Sequence, residues 1–150
     1  MSNLILLEIN DSVATITINR PEKRNSITPE MLESLEQIVS QVANDKSVRL
    51  VLLQGSGDKA FSTGADLNAF SAHDRDSARR NWIPDGHRIY RRLAQLPQVS
   101  IAILNGDALG GGLELALACD FRVGKRGARV GLPEVSIGTF PGWGGTGRLV

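Results

Sequence analysis

Two glutamates, Glu114 and Glu134, are the residues of this chain best suited to proton-transfer chemistry. Glu114 lies two residues after the three glycines 110–112, in the first turn of the short predicted helix that they open. Glycines at a helix start leave backbone N–H groups uncovered at the positive end of the helix dipole. A set of N–H donors beside one carboxylate predicts a site where negative charge develops on an oxygen atom while a proton moves.

Each glutamate also has an ordinary structural explanation. An acidic residue in a first helical turn, such as Glu114, suits the helix dipole without any chemistry. Glu134 follows a proline, as Glu30 follows Pro29 at the start of an earlier predicted helix. The residue types alone therefore leave the role of both carboxylates open.

The elements that must position these residues alternate between strands and helices. Apolar or alternating runs predict strands at residues 4–8, 13–19, 48–53, 99–104, 121–123 and 128–130. Helical spacing predicts helices over 29–43 and 113–118 and a helix within 71–92 that breaks near Pro84. This order favours an α/β fold with right-handed connections and two parallel apolar strands, without an internal sequence repeat.

Two loops rich in small residues follow strands of this predicted sheet, at 55–65 and 105–112. Ligands of open α/β sheets bind beyond the carboxyl ends of the strands. We therefore expect the two loops to converge and to bring backbone N–H groups close to a ligand.

Composition argues against several classes of function. The 150 residues carry a net charge of +1, which does not indicate a nucleic-acid or membrane-surface partner. No apolar run approaches the roughly 20 residues that cross a bilayer, and the start lacks the pattern of a signal peptide. With Cys119 as the single cysteine, we expect a cytoplasmic protein without disulfides. His73 and His87 lack further ligands at suitable spacing, so no metal site is predicted.

The glycine-rich segment 142–147 formally satisfies G-x-G-x-x-G. A dinucleotide site needs a strand immediately before that motif, and residues 137–141 make a poor strand. Neither a phosphate-binding G-x-x-x-x-G-K-[ST] loop nor a G-x-S-x-G nucleophile elbow occurs. We therefore reject a nucleotide-binding interpretation.

Four blocks of the chain, in this order, resemble the crotonase (enoyl-CoA hydratase/isomerase) family. They are Asn19-Arg20-Pro21 with Asn25, the run FSTGADL at 61–67, NGDALGGGLE at 105–114, and LPE at 132–134 leading into GTFPGWGGT at 138–146. The resemblance implies a crotonase-like spiral of ββα repeats, of which residues 1–150 form the N-terminal part of the acyl-CoA-binding core. It also implies a C-terminal helical part, absent from this chain, that builds homotrimers or hexamers.

The resemblance further implies the roles of individual residues. The backbone N–H groups of Ala65 and Gly111 would form an oxyanion hole for the thioester oxygen of an enoyl-CoA. Glu114 would activate the water that attacks C3, and Glu134 would give a proton to C2. Gly142 would help to place the water. Coenzyme A enters as part of the substrate, and no permanently bound cofactor is implied.

The family's binding mode places coenzyme A along the segment 61–68, and the acyl group against the 71–92 helix. The implied contact residues are Ser62, Thr63, Gly64, Ala65, Asp66, Leu67, Gly110, Gly142 and Trp143, with Lys23 and Arg24 for the phosphates. The chain departs from the family pattern at Asn68, where many hydratases carry a lysine, and at the bulky Trp143. These departures leave the phosphate contact and the acyl chain length open.

Alternatives within and beyond this activity stay open at this point. A double-bond isomerase of the family usually keeps a carboxylate only near the second position, so the presence of both glutamates favours a hydratase. A specialised acyl-CoA dehydratase or hydrolase is a further member of the same family. A non-catalytic protein that binds acyl-CoA or RNA is the alternative from another class.

Overall fold

The computed structural model describes residues 4–71 and 75–149, which form two β-sheets and the helices packed on them. The larger sheet has the order β1-β2-β3-β5-β7 and the smaller one β4-β6-β8. The strands are β1 (Ile5–Asn10), β2 (Val13–Ile18), β3 (Leu50–Gly55), β4 (Ala60–Ser62), β5 (Val99–Leu104), β6 (Asp107–Leu109), β7 (Phe121–Gly124) and β8 (Val130–Gly131). The helices are α1 (Pro29–Asn44), α2 (Leu67–Ser71), α3 (Arg75–Ser77), α4 (Ile83–Leu93), α5 (Gly111–Leu117) and α6 (Gly145–Arg148).

Local signals account for the first three elements. Strands β1 and β2 pair antiparallel through a tight turn in which Asp11 has φ 52°, a conformation that aspartate tolerates. Helix α1 begins as predicted, with Pro29 in its first turn and the Thr28 hydroxyl accepting a bond from the N–H of Met31 at 3.4 Å. Its apolar face is buried in the core.

A ββα repeat builds the rest of the molecule. Each repeat contributes one strand to the larger sheet and one to the smaller sheet, followed by helix: β3-β4 with α2 to α4, β5-β6 with α5, and β7-β8 with α6. Neighbouring strands from β2 onwards pair in parallel in both sheets. The expected α/β class, the spiral of ββα repeats and the parallel apolar strands are confirmed.

Two elements differ from the sequence-based expectation. Residues 60–62 and 107–109, predicted as loop, are the short strands β4 and β6. Three residues are too few to show an alternating pattern, and pairing with distant strands gives these strands their shape.

The helix predicted to break near Pro84 is regular there, and its irregularity comes earlier, as a π-helical turn over Ala78–Trp82. Pro84 lies in the first turn of α4, where its missing N–H is not needed. His73 lies outside the described residues. No helix within 4–71 and 75–149 has the length and apolarity needed to span a membrane.

Candidate active site

A pocket of about 280 Å³ lies just beyond the carboxyl ends of β4 and β6. Both glutamates line it, together with Ala65 and Gly111. Much of its remaining surface is apolar and comes from Leu67, Phe70, Trp82, Ile83, Phe140 and Trp143. A mostly apolar pocket with a few acidic groups is typical of a site for a small organic molecule.

The two predicted loops meet at Gly64 and Gly111. Gly64 has φ +86°, and a Cβ atom there would lie 2.7 Å from Gly111 N and 2.9 Å from Leu109 O. A side chain at residue 64 would therefore be strained by its backbone conformation and would also collide with the start of α5. The expected convergence of the loops is confirmed at this contact.

The N–H of Ala65 is directed away from the neighbouring Ile27. Ile27 N donates to Gly64 O, and Asp66 N donates to Ile27 O, both at 2.8 Å. The Gly64 carbonyl and the Ala65 N–H belong to one trans peptide group and point in opposite directions, so the Ala65 N–H faces the side remote from Ile27. Gly111 is the first residue of α5, and its N–H has no acceptor inside that helix. Both residues line the pocket, so both N–H groups can meet a ligand there.

Glu114 is held by the turn at residues 143–145, which leads into α6. Its carboxylate is 2% exposed, and Oε1 accepts bonds from Trp143 N at 2.8 Å and Gly145 N at 2.7 Å. Burial, and to a smaller extent the charge of Glu134, raise the pKa of Glu114, although both N–H bonds and Arg148 act in the opposite direction. A raised carboxyl pKa suits a group that both accepts and returns a proton.

Glu134 begins the 3₁₀ turn Glu134–Ile137 and reaches Gly110. A Cβ atom at Gly110 would lie 3.3 Å from Glu134 Oε1. The other oxygen, Oε2, is buried and has no hydrogen-bond partner among the described residues. A buried polar atom without a partner is costly, and at the edge of a pocket it indicates a group that is satisfied by a ligand or water.

Trp143 forms one wall of the pocket and is 3% exposed. Its indole lies 5.7 Å from the ring of Trp82 and 5.2 Å from that of Tyr90, in the second case edge to face. A Cβ atom at Gly86 would overlap the indole, so α4 approaches this closely only because that residue is a glycine. Trp143 thus forms part of the pocket wall, and its place beside an acyl group stays a prediction.

Two of the predicted coenzyme A contacts, Ser62 and Asp66, direct their side chains into the protein. The Ser62 hydroxyl accepts from Gly64 N at 3.1 Å and donates to Asn25 O at 2.8 Å. Asp66 Oδ1 accepts from the N–H groups at the start of α2, and Oδ2 pairs with Arg20 at 2.6 Å. These hydrogen bonds hold the 62–67 segment in shape, so the side chains of Ser62 and Asp66 are engaged within the protein.

Asn25 is a supporting residue to which the sequence analysis gave no role. It is fully buried, and its amide donates to Ser56 O at 3.0 Å and Ala60 O at 2.8 Å. Its φ of +55° is a conformation that asparagine tolerates better than most residues. The sequence did show an asparagine at the end of a short loop that begins with a proline. It did not show which carbonyls this asparagine binds, because they lie 31 and 35 residues further along the chain.

Of the two predicted phosphate-binding residues, Arg24 contacts the 62–67 segment through its backbone, and Lys23 precedes it in sequence. Lys23 ends the 3₁₀ turn Pro21–Lys23 and is exposed, and Arg24 O accepts the N–H of Thr63 at 3.2 Å. Arg24 also borders a second hollow of about 250 Å³, together with Lys59. Of the remaining predicted contacts, Leu67 is 57% exposed at the pocket mouth, where Thr63, Gly110 and Gly142 also line the wall.

Residues 4–71 and 75–149 contain neither a metal-binding cluster nor a reactive thiol. Their His, Cys, Asp and Glu side chains form no group of three or more that could hold a metal ion. The thiol of Cys119 is buried, and burial raises its pKa to about 12. It is therefore a structural residue and not a nucleophile.

Comparison with known proteins gives consistent matches over nearly the whole chain. The family model described as enoyl-CoA hydratase/isomerase matches residues 8–150. A short-chain-enoyl-CoA hydratase of Clostridium acetobutylicum is 40% identical over 147 residues, which are 98% of this chain and 56% of that relative. A crotonyl-CoA hydratase of Syntrophomonas wolfei is 40% identical over 97% of this chain and 55% of its own length.

The structural comparison agrees. A crystal structure of enoyl-CoA hydratase from Bacillus anthracis superposes with a TM-score of 0.93 at 39% identity, over 97% of this chain and 57% of that one. The chain thus spans about half the length of the relatives that it matches.

Proposed function

Because the chain belongs to the enoyl-CoA hydratase/isomerase family, we propose that its protein adds water reversibly across the C2–C3 double bond of an enoyl-CoA thioester. The observation that carries the proposal is that Glu114 and Glu134 line the same pocket as Ala65 and Gly111. Acid–base groups and oxyanion donors are thereby available to one bound thioester.

In this proposal the N–H groups of Ala65 and Gly111 donate to the thioester oxygen. Attack of water at C3 pushes electron density through the conjugated system onto that oxygen, which becomes an enolate. Donors fixed in place stabilise the enolate more than the neutral thioester, which lowers the barrier. The support is the contact of the two loops at Gly64 and the direction of the Ala65 N–H.

The two carboxylates divide the proton transfers between them. Glu114, ionised, takes a proton from water while the oxygen of that water bonds to C3. Glu134, protonated, gives a proton to C2, so the carboxyls have exchanged protonation states when the product forms. One proton must return from Glu114 to Glu134 before the next cycle. The charge of Glu134 contributes to the raised pKa of Glu114, which suits Glu114 to take up the proton of the water.

Binding of the rest of the substrate follows the same segment. We place the adenine of coenzyme A beside the backbone of residues 62–65, with Lys23 and Arg24 toward the phosphates. The acyl chain would lie against the apolar wall formed by Phe70, Trp82 and Trp143. In this scheme coenzyme A binds as part of each substrate and leaves as part of each product. A homotrimer or hexamer and a cytoplasmic location stay predictions for the whole protein.

The test is hydration of crotonyl-CoA by the full-length protein, followed as loss of the enoyl ultraviolet absorbance and as gain of one water in product mass. We expect Glu114→Gln and Glu134→Gln each to lose turnover. Glu33→Gln, at an exposed glutamate of α1, is the matched control and should keep it. No hydration by the wild type, or full activity in both active-site variants, would refute the proposal. Shift of the double bond without gain of water would indicate an isomerase instead.

A further inference from the structure

Arg148 ends α6 and lies against the turn that holds Glu114. Its Nη1 donates to Trp143 O at 3.1 Å. The guanidinium also packs over Gly144, which has φ +105°, and a Cβ atom at that residue would lie 3.0 Å from Arg148 Cζ. The side chain therefore fits a space that only a glycine at residue 144 leaves open.

The carbonyl that Arg148 binds lies between the two donors to Glu114 along the chain. Trp143 N precedes this carbonyl and Gly145 N follows it, and both donate to Glu114 Oε1. The Trp143 carbonyl belongs to the peptide unit that joins the two units carrying these N–H groups. A hydrogen bond to this oxygen therefore restrains the middle of the turn that presents both donors to the carboxylate.

We propose that Arg148 is a positioning residue, whose guanidinium holds the 143–145 turn and, through it, the carboxylate of Glu114 in the orientation that the reaction needs. The inference rests on the proposed function for its kinetic consequence, but its structural content concerns Glu114 alone. Arg148 itself does not line the pocket, so it acts through that turn.

The charge of Arg148 adds a second effect on the same carboxyl. Among the groups around Glu114, burial and Glu134 raise its pKa, whereas Arg148 and the two N–H donors lower it. From α4, Tyr90 also faces this region: burial first, and then the charge of Glu114, raise the pKa of its phenol. Removing the guanidinium should therefore raise the pKa of Glu114 further, because an opposing positive charge is lost.

A purely structural role is the competing explanation. A basic side chain in the last turn of a helix interacts favourably with the helix dipole, whatever lies nearby. That role predicts lower thermal stability for an Arg148 variant, with no change in the titration of Glu114. The two explanations therefore differ in a pH profile and not only in activity.

The experiment compares Arg148→Gln and Arg148→Lys in the full-length protein. For Arg148→Gln we expect kcat for crotonyl-CoA to fall on the order of 10²-fold with KM little changed, because the carboxylate loses its orientation. The acidic limb of the pH profile should move to higher pH. Arg148→Lys keeps the positive charge, so the acidic limb of its pH profile should stay near that of the wild type. Its kcat should lie between those of Arg148→Gln and the wild type. Arg91→Gln, an exposed arginine of α4, is the control.

An infrared titration of the Glu114 carboxyl, taken as the difference from Glu114→Gln, reads the same pKa without turnover. It separates this inference from the proposed function, because a wild type that does not hydrate crotonyl-CoA still reveals whether Arg148 controls Glu114. An unchanged titration and pH limb in Arg148→Gln, with lower stability alone, would overturn the inference. Should Arg148→Gln not fold, wild-type kcat in Arg148→Lys would overturn it, and a lower kcat at unchanged KM would support it.

Discussion

Glu114 and Trp143 are 29 residues apart in sequence, yet the backbone N–H of Trp143 donates to Glu114 Oε1 at 2.8 Å. The bond links the first turn of α5 to the segment just before α6. A carboxylate in the second ββα repeat is thus oriented by the third. The chemistry proposed for Glu114 depends on this turn as much as on the helix that carries the residue.

The raised pKa of Glu114 predicts a specific dependence of stability on pH. Between the ordinary value of 4.5 and the higher folded value, the native state binds more protons than the unfolded state. The free energy of unfolding should therefore fall as pH rises through this window. Glu114→Gln cannot ionise, so this part of the fall should be absent from the variant.

Urea unfolding of wild type and Glu114→Gln at a series of pH values on both sides of 4.5 measures this difference. Glu33→Gln serves as the exposed control and should follow the wild type. A variant that loses stability relative to the wild type as pH rises would show that the sign is wrong.

Gly64→Ala should damage the proposed oxyanion site, because its Cβ would lie 2.7 Å from Gly111 N. Gly127→Ala is a matched control: its φ of +84° is almost the same as the +86° of Gly64, but a Cβ atom there has nothing within 4 Å. Backbone strain alone costs about 1–2 kcal/mol and should appear in both variants. Only Gly64→Ala should also lose about 10²–10³-fold in kcat/KM.

Thermal unfolding and crotonyl-CoA hydration of these two glycine variants separate strain from collision. Equal losses of activity in both would mean that the contact between the loops does not matter for turnover.

Asp66 should stabilise the 62–67 segment in a pH-dependent way. Hydrogen bonds from the Ala69 N–H and from Arg20 hold the pKa of Asp66 below its usual value of 3.8. Its contribution is therefore fully present above that value and is lost as pH falls through the lower folded pKa. Asp66→Ala should cost about 0.5–2 kcal/mol at neutral pH, typical of a lost N-cap, and less in acid. Asp58→Ala, at an exposed loop carboxylate, is the control for denaturant unfolding.

Trp143→Phe should change which acyl chains are accepted. The backbone N–H to Glu114 is retained, while the smaller ring leaves space between α4 and α5 beside the pocket. We expect the ratio of kcat/KM for a six-carbon over a four-carbon enoyl-CoA to rise. Trp82→Phe alters the same aromatic wall at a residue outside the 143–145 turn and is the comparison variant. An unchanged ratio in Trp143→Phe would show that Trp143 does not contact the acyl chain.

Much of this architecture can be predicted from local sequence. Helix α1 follows from its cap and apolar spacing, β5 from a run that is apolar except for Ser100, and the loop contact at Gly64 from glycine-rich loops after parallel strands. Strands β4 and β6 cannot be predicted locally, because pairing with distant strands defines them. The residues that position Glu114 and the 62–67 segment cannot be predicted for a similar reason. The donors to Glu114 are backbone N–H groups, and Asn25 and Arg148 bind carbonyls that the sequence does not distinguish from others.

The most direct test of the central claim is a crystal structure of the full-length protein with acetoacetyl-CoA bound. The account predicts that the thioester oxygen accepts hydrogen bonds from both Ala65 N and Gly111 N, with Glu114 and Glu134 over the adjoining carbons. A thioester oxygen bound away from these two N–H groups, or an acyl chain outside the pocket lined by the two glutamates, would contradict it.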